Sequence, residues 1–411
     1  MSEQKIFLGN LEAEGQQELQ VYRHEDLLRW LWSDESGGLW PESLNSSDTS
    51  LAKREWRTLP DQIEQFLMFI GRTISSADAE GFVDHALMSS GTLNLSATAF
   101  LSIPGTMLAR KIVVIDSVAP DAIQAKEQQL DLRGTFFVLS SKSEYELKDH
   151  CLFLYFREKL EQVAGTAASN QFVSQTEPDT YLATLSRSYT FRDMRTDPSR
   201  VPAVYCSLLQ FAALLTGSSS AVVSEVVVAA RQIRDACSLV DIAENPALRL
   251  AALLSVAVQR GLRYLVFLAS PSLLWYTCRL GQLIGTSLAH GDSPLIPLFG
   301  AVPRAIEPVV NDSVFVVVSY AGDQDSELDD FVRQLRAGSQ PFVHLRLDKP
   351  IDLLTETFKW ESATILTCAR LGTNPFDVRA DACHARSCES CWRSFLDGKI
   401  RCSGPRESQT S

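Results

Sequence analysis

Residues 140–143 read Ser-Ser-Lys-Ser and follow directly on the apolar run Thr135-Phe136-Phe137-Val138-Leu139. A buried strand that runs into hydroxyl and ammonium groups and then a helix makes an anion cradle. Free backbone N–H groups converge there, hydroxyls add donors, and the helix dipole is positive at that end. Two carboxylates, Glu144 and Glu146, stand immediately behind and oppose such a use. Ser143-Glu144-Tyr145-Glu146 also fits a capping box, where acidic side chains are favoured in the first helical turn. The stretch by itself supports either reading.

A second concentration of chemistry closes the chain, where Cys383-His384 is followed by Cys388, Cys391 and Cys402. The pair Cys388-x-x-Cys391 can bite one metal, and Cys383 or His384 together with Cys402 completes a tetrahedral zinc site. The spacing also echoes part of a plant-type iron–sulfur pattern, although Cys402 comes early for the fourth ligand. Free thiols and a Cys388–Cys391 redox pair are the other readings. Zinc in this tail is the expected cofactor, and the Ser-Lys-Ser region calls for none. The remaining cysteines, Cys151, Cys206, Cys237, Cys278 and Cys368, stand singly in apolar surroundings and read as reduced packing residues.

The whole chain limits the setting of these groups. Its 411 residues suffice for two domains or slightly more, each with its own core. A formal charge of −12 argues against nucleic acid and anionic membrane surfaces as partners. The N-terminus shows no basic, apolar and small-residue succession of a secretory signal, so a cytoplasmic protein is expected. The longest uncharged stretch, 201–224, is broken by Pro202, Gly217 and Ser218–Ser220. It reads as a buried core helix followed by a turn and not as a bilayer span.

The elements that must position the chemistry follow from periodicity. The first eighty residues read mostly as helix. From residue 82, short apolar runs alternate with amphipathic segments: Phe82–Met88, Lys111–Asp116, Thr135–Ser140 and Gln171–Gln175. After a helical stretch over 201–260 the alternation resumes at Leu262–Ala269, Pro294–Phe299, Ser313–Tyr320 and Phe342–Leu347, and a last helix covers Ile351–Leu371. Such alternation predicts an α/β protein with parallel sheets flanked by helices. The expected division is a helical N-terminal region at 1–80, α/β modules at 81–228 and 229–378, and a Cys-rich tail at 379–411.

Four stretches in this order resemble the phosphoglucose isomerase family. They are KIVVIDSVAPDAI (111–123) leading to FFVLSSKS (136–143), DPSRVPAVYCSLLQFAALLTG (197–217), GQLIGTSLAHGDSPLIPLFG (281–300) and DLLTETFKWESATILTCARLGTNPFD (352–377). The likeness is greatest to the isomerase half of fused transaldolase/phosphoglucose isomerase proteins and runs from about residue 25 to 380. It implies two sugar-isomerase-type modules, a sugar phosphate or other small polar ligand, and a homodimer. It also implies that Ser141, Lys142 and Ser143 hold the substrate phosphate, with Thr92 in the first phosphate-contacting turn. Arg200 falls where the family has an arginine that stabilises an enediolate-like charge.

The departures bear on catalysis. Glu144, Tyr145 and Glu146 replace the Gly-Thr-Thr of the family's phosphate loop, and Pro198-Ser199 replaces two glycines before Arg200. Aldose–ketose isomerisation moves a proton between neighbouring carbons, so one positioned base must take it up and return it. Thr286 stands where the family's glutamate belongs, and a hydroxyl of ordinary pKa cannot serve. His290, in the place of a family lysine, is a competent base near neutrality. Two expectations result: a phosphoglucose-isomerase-like pseudoenzyme or repurposed member, or an active isomerase of glucose 6-phosphate and fructose 6-phosphate with a relocated base.

Overall fold

A computed structural model describes residues 3–24, 26–33, 40, 47–89, 92–104, 110–141, 147–196, 200–216, 220–289, 294–299, 310–323 and 325–376. The chain opens with strand β1 (Glu3–Phe7) and helices α1 (Glu12–His24), α2 (Leu27–Trp32) and α3 (Ser47–Ala79). A first α/β succession follows: β2 (Asp84–Ser89), α4 (Thr92–Leu101), β3 (Ile112–Ile115), α5 (Pro120–Glu127), β4 (Thr135–Ser140), α6 (Leu147–Ala164), β5 (Phe172–Thr176), α7 (Tyr181–Ser188) and β6 (Asp193–Thr196). Helices α8 (Ser207–Thr216), α9 (Ser220–Ser238) and α10 (Leu248–Gln259) lead to the second. It contains β7 (Tyr264–Ala269), α11 (Leu274–Leu288), β8 (Ile296–Phe299), β9 (Ser313–Tyr320), α12 (Ser326–Ala337), β10 (Phe342–Leu347) and α13 (Ile351–Arg370).

The two sheets share one winding. The first runs β3-β2-β4-β5-β6 and the second β8-β7-β9-β10-β1, so in each the first strand lies between the second and the third. All pairs are parallel except β1 with β10. The fold is therefore α/β with two parallel sheets flanked by helices, as the alternation of the sequence predicts. The shared order also gives the common rhythm of the two halves a structural meaning. The N-terminal region adds an element that its composition does not reveal, because β1 completes the second sheet at the position that β6 occupies in the first.

Strand faces alternate between cores, as the two-residue period requires. In β2, Ala86 and Met88 join a cluster with Phe137, Phe153, Phe156 and Phe172, whereas Leu87 faces the opposite way. In β9, Val314, Val316 and Val318 enter the same cluster as Leu87, which also contains residues of α1, α3, α8, α10, α11 and α13. The helices between the sheets thus share one continuous core with both. The uncharged stretch 201–224 contributes α8, whose Leu208, Phe211 and Ala212 are fully buried. No helix among the described residues is long and apolar enough to cross a membrane.

Candidate functional site

In a sheet wound this way, the chain leaves the first and third strands in opposite directions, and a crevice opens beyond their carboxyl ends. In the first module that point lies between β2 and β4, where the last pair in register is Ser89 with Ser140. The chain continues from Ser140 to Ser141, which is buried and donates its N–H to Gln175 O at 3.0 Å. From Ser89 it leads to Thr92, also buried, at the start of α4. Topology therefore brings Thr92 and Ser141, two residues singled out in the sequence, to the same crevice from loops about fifty residues apart.

A third polar group stands there that sequence reasoning missed. Asn94, in the first turn of α4, donates through Nδ2 to the carbonyl of Ser89, and its Oδ1 is enclosed without a hydrogen-bond partner among the described residues. Behind it, Ser96 Oγ donates to Gln210 Oε1 at 2.8 Å, and Gln210 Nε2 donates to Ala203 O at 3.0 Å. These bonds tie α4 to the segment that leads into α8.

At the equivalent strand ends of the second module, β7 and β9, carboxylates of the chain bond the neighbouring donors. Ser272 donates its N–H to Asp323 Oδ2 at 3.1 Å and its hydroxyl to Oδ1 at 2.8 Å. Asp323 thus places a carboxylate at the donors that lead into α11. Nearby, Asp352 Oδ2 accepts from the N–H groups of Asp348 at 2.9 Å and Lys349 at 3.2 Å. Burial first, then Asp323, Asp348 and Asp352, push the Tyr320 hydroxyl above its ordinary pKa. An external anion would meet carboxylates here.

Thr286 and Arg200 are also among the described residues. Thr286 is exposed on α11, and its hydroxyl donates to the carbonyls of Gln282 at 2.9 Å and Leu283 at 3.1 Å in its own helix. Arg200 lies at the surface beside α3. Its Nε is 3.0 Å from Asp48 Oδ1, and its backbone N–H donates to Glu55 Oε2 at 2.6 Å. Lys142, Ser143, Glu144, Glu146 and His290 lie outside the described residues, as do Cys383, His384, Cys388, Cys391 and Cys402. Among the described residues no group of three or more His, Cys, Asp or Glu side chains could hold a metal. Among the described residues the single cysteines form no disulfide; Cys206, Cys237 and Cys368 are buried, while Cys151 and Cys278 are half-buried.

A buried ionic cluster joins the modules. Glu361 of α13 is fully buried and accepts from Trp56 Nε1 of α3 at 3.1 Å and from Ser207 N–H, the first residue of α8, at 3.2 Å. Arg279 of α11, equally buried, stands 3.7 Å from the same carboxylate and donates to Val204 O at 2.6 Å. Burial raises the Glu361 pKa, opposed mainly by the Arg279 charge. The cluster is closed to solvent and acts as a clamp on four helices. Nothing in the local sequence of Lys359-Trp360-Glu361 separates this carboxylate from an exposed one.

No protein-family model matches the chain, and no curated relative matches it in sequence. Solved structures match it closely in shape, and they define its class as the sugar-isomerase fold in its two-module form. A hypothetical protein from Thermus thermophilus superposes with a TM-score of 0.73 at 17% identity, covering 94% of this chain and 99% of the other. A glucose-6-phosphate isomerase from Chlamydia trachomatis superposes with a TM-score of 0.71 at 13% identity, covering 93% and 86%. The chain thus has the fold of glucose-6-phosphate isomerase over nearly its whole length.

Proposed function

We propose that this protein binds a sugar phosphate or a similar small polyhydroxy anion at the first-module crevice and lacks the family's isomerase chemistry. The observation that carries the reading is the state of Thr286. Its hydroxyl is spent on the carbonyls of its own helix, where a carboxylate would have to take up and return the substrate proton. Support for a ligand comes from Thr92 and Ser141 at the carboxyl ends of β2 and β4, beside the start of α4. The protein is then a pseudoenzyme or a repurposed member of the sugar-isomerase fold, and it works in the cytoplasm as a homodimer. Zinc, held by Cys383, Cys388, Cys391 and Cys402, belongs to the tail and takes no part in the crevice.

The test is an isomerase assay on purified protein with glucose 6-phosphate and fructose 6-phosphate, run beside a calorimetric titration of each. Binding without turnover is expected. Thr286→Glu is the informative variant, because exposed helical substitutions change stability by only about 0.5 kcal/mol. Its melting temperature should match that of the parent, so any turnover that it gains reports chemistry and not refolding. Turnover by the unaltered protein would sink the reading and establish the active isomerase with a relocated base in its place.

A further inference from the structure

Three cross-strand pairs follow one another along one face of the β1–β10 ladder: Glu3 with Arg346, Lys5 with His344 and Phe7 with Phe342. That face is covered by α12, since Phe7 and Phe342 cluster with Leu328, Phe331 and Leu335. The pairs differ in what they contribute. Phe7 and Phe342 have ring centroids 5.3 Å apart, and Asn10 N–H donates to Ser339 O at 2.9 Å just beyond, so β1 is anchored at its carboxyl end. Glu3 and Arg346 carry opposite charges. Lys5 and His344 are the pair whose balance changes with pH, because imidazole is the side chain whose ordinary value lies near neutrality.

His344 is half-buried, with β1 on one side and β9 on the other. Its Nε2 lies 3.0 Å from Ser319 Oγ, and Ser319 also donates to the carbonyl of Leu345 at 3.3 Å. A hydroxyl both accepts and donates, so the bond to Ser319 suits either charge state of the ring. The other surroundings decide between the two. Burial opposes a proton most, and Lys5 of β1 and Arg346 of β10 oppose it as well, whereas Asp329 of α12 and Glu3 of β1 favour it; together they lower the His344 pKa. Glu3 is already engaged with the Lys5 ammonium at 2.8 Å, and the other α12 cation on this side, Arg336, lies over the Phe7 ring at 5.9 Å. A ring held neutral while β1 is docked takes up a proton more readily once Lys5 has moved away and water has entered. By linkage, β1 docks most firmly above the ordinary imidazole value of about 6.5, and docking weakens as pH falls below it toward the folded value.

We propose that His344 is an acid-sensitive latch on β1: the neutral imidazole lets Lys5 lie opposite it, and a proton on the ring drives the Glu3–Lys5 end of the strand off the edge of β10. The anchor at Phe7 and Asn10 stays in place, so the strand peels from its start and does not detach as a whole. Release bares the outer N–H and C=O groups of β10, the edge that β1 otherwise covers. The latch acts on the second sheet and stands apart from the reading of the first-module crevice.

The experiment follows hydrogen exchange of β1 and, as a reference in the same sheet, of β7, in the full-length parent and its His344→Gln and Lys5→Gln variants. Exchange is read at about pH 7.5 and about pH 5.5, on either side of the ordinary imidazole value, and referred to the unfolded-chain rate at each pH. In the parent, protection of β1 relative to β7 should fall by about two- to fivefold on acidification, the size expected for like charges set opposite one another on paired strands. His344→Gln keeps an amide for Ser319 but takes up no proton, so its ratio should not change with pH. The Lys5 side chain is 55% exposed, so Lys5→Gln leaves the fold in place and should show a smaller fall than the parent. That variant keeps the test valid should His344→Gln fail to fold. A ratio in the parent that is the same at both pH values would overturn the latch, as would a fall in His344→Gln or in Lys5→Gln equal to that of the parent.

Discussion

Glu361 and Arg279 show how much a single side chain can hold here. A carboxylate withdrawn from water is costly, and what offsets the cost is the guanidinium of Arg279 with the N–H donors of Trp56 and Ser207. Removing one partner leaves the other buried and uncompensated. Arg279→Met is therefore expected to destabilise the fold by roughly 3–5 kcal/mol, whereas Arg279→Met combined with Glu361→Leu should cost much less than the sum of the single changes. Urea unfolding of the four proteins measures this coupling, and additive costs would show that the two charges are independent. The pH dependence has a definite sign. Because burial raises the Glu361 pKa, the folded state holds the proton more tightly than the unfolded chain, whose carboxyl titrates at about 4.3. The resulting stabilisation is complete below that value and is lost as pH rises through the folded pKa. Glu361→Gln should lack this loss, so its stability relative to the parent improves as pH is raised across that window.

At the scale of elements, what could be read in advance depended on where a strand sits in its sheet. β4, β7 and β9 are interior strands, largely buried and apolar through their middles, and their runs are visible in the sequence almost to the residue. The strands β1 and β6 lie at sheet edges and carry Glu3, Lys5, Asp193 and Arg195, the charges by which edge strands avoid pairing with other chains. Their composition resembles a loop, so they were not legible. The Ser141 hydroxyl was legible as a local strand-then-hydroxyl pattern, whereas Thr92 came only from the family resemblance. The Arg279–Glu361 clamp was not legible, because it depends on contacts that only the packing of the two modules creates. The attachment of β1 depends on Gly9, whose φ of +57° is a left-handed conformation and whose added Cβ would lie 2.3 Å from the carbonyl oxygen of Ser339. Gly9→Ala therefore meets backbone strain and a collision with main chain that no side-chain rotation relieves. A loss of at least about 2 kcal/mol is expected, with hydrogen exchange accelerated first along β1 and β10. Unchanged protection of β10 would show that β1 is not needed to cover that edge.

At the scale of the molecule, the decisive feature is that no seam divides the core. Leu87, Phe100 and Val114 of the first module, Trp56 and Leu59 of α3, and Leu265, Val316 and Leu366 of the second all belong to one buried cluster. The Glu361 clamp lies within the same junction, fixing α3, α8, α11 and α13 together. Two modules related by strand order could in principle fold separately, but a module removed from this contact would expose the apolar face of its sheet. Thermal unfolding should therefore be a single transition, with equal slow-exchange free energies for the amides of β4 in the first sheet and β9 in the second. Separate transitions, or a first sheet that exchanges well before the second, would mean that the modules are independent. The crevice at Ser89 and Ser140 could then open without cost to the rest. If the transition is single, ligand at Thr92 and Ser141 must stabilise the second module as much as the first, since a ligand that binds only the native state raises the stability of everything that unfolds with its site. Protection of β9 on addition of glucose 6-phosphate is the measurement that separates the two cases.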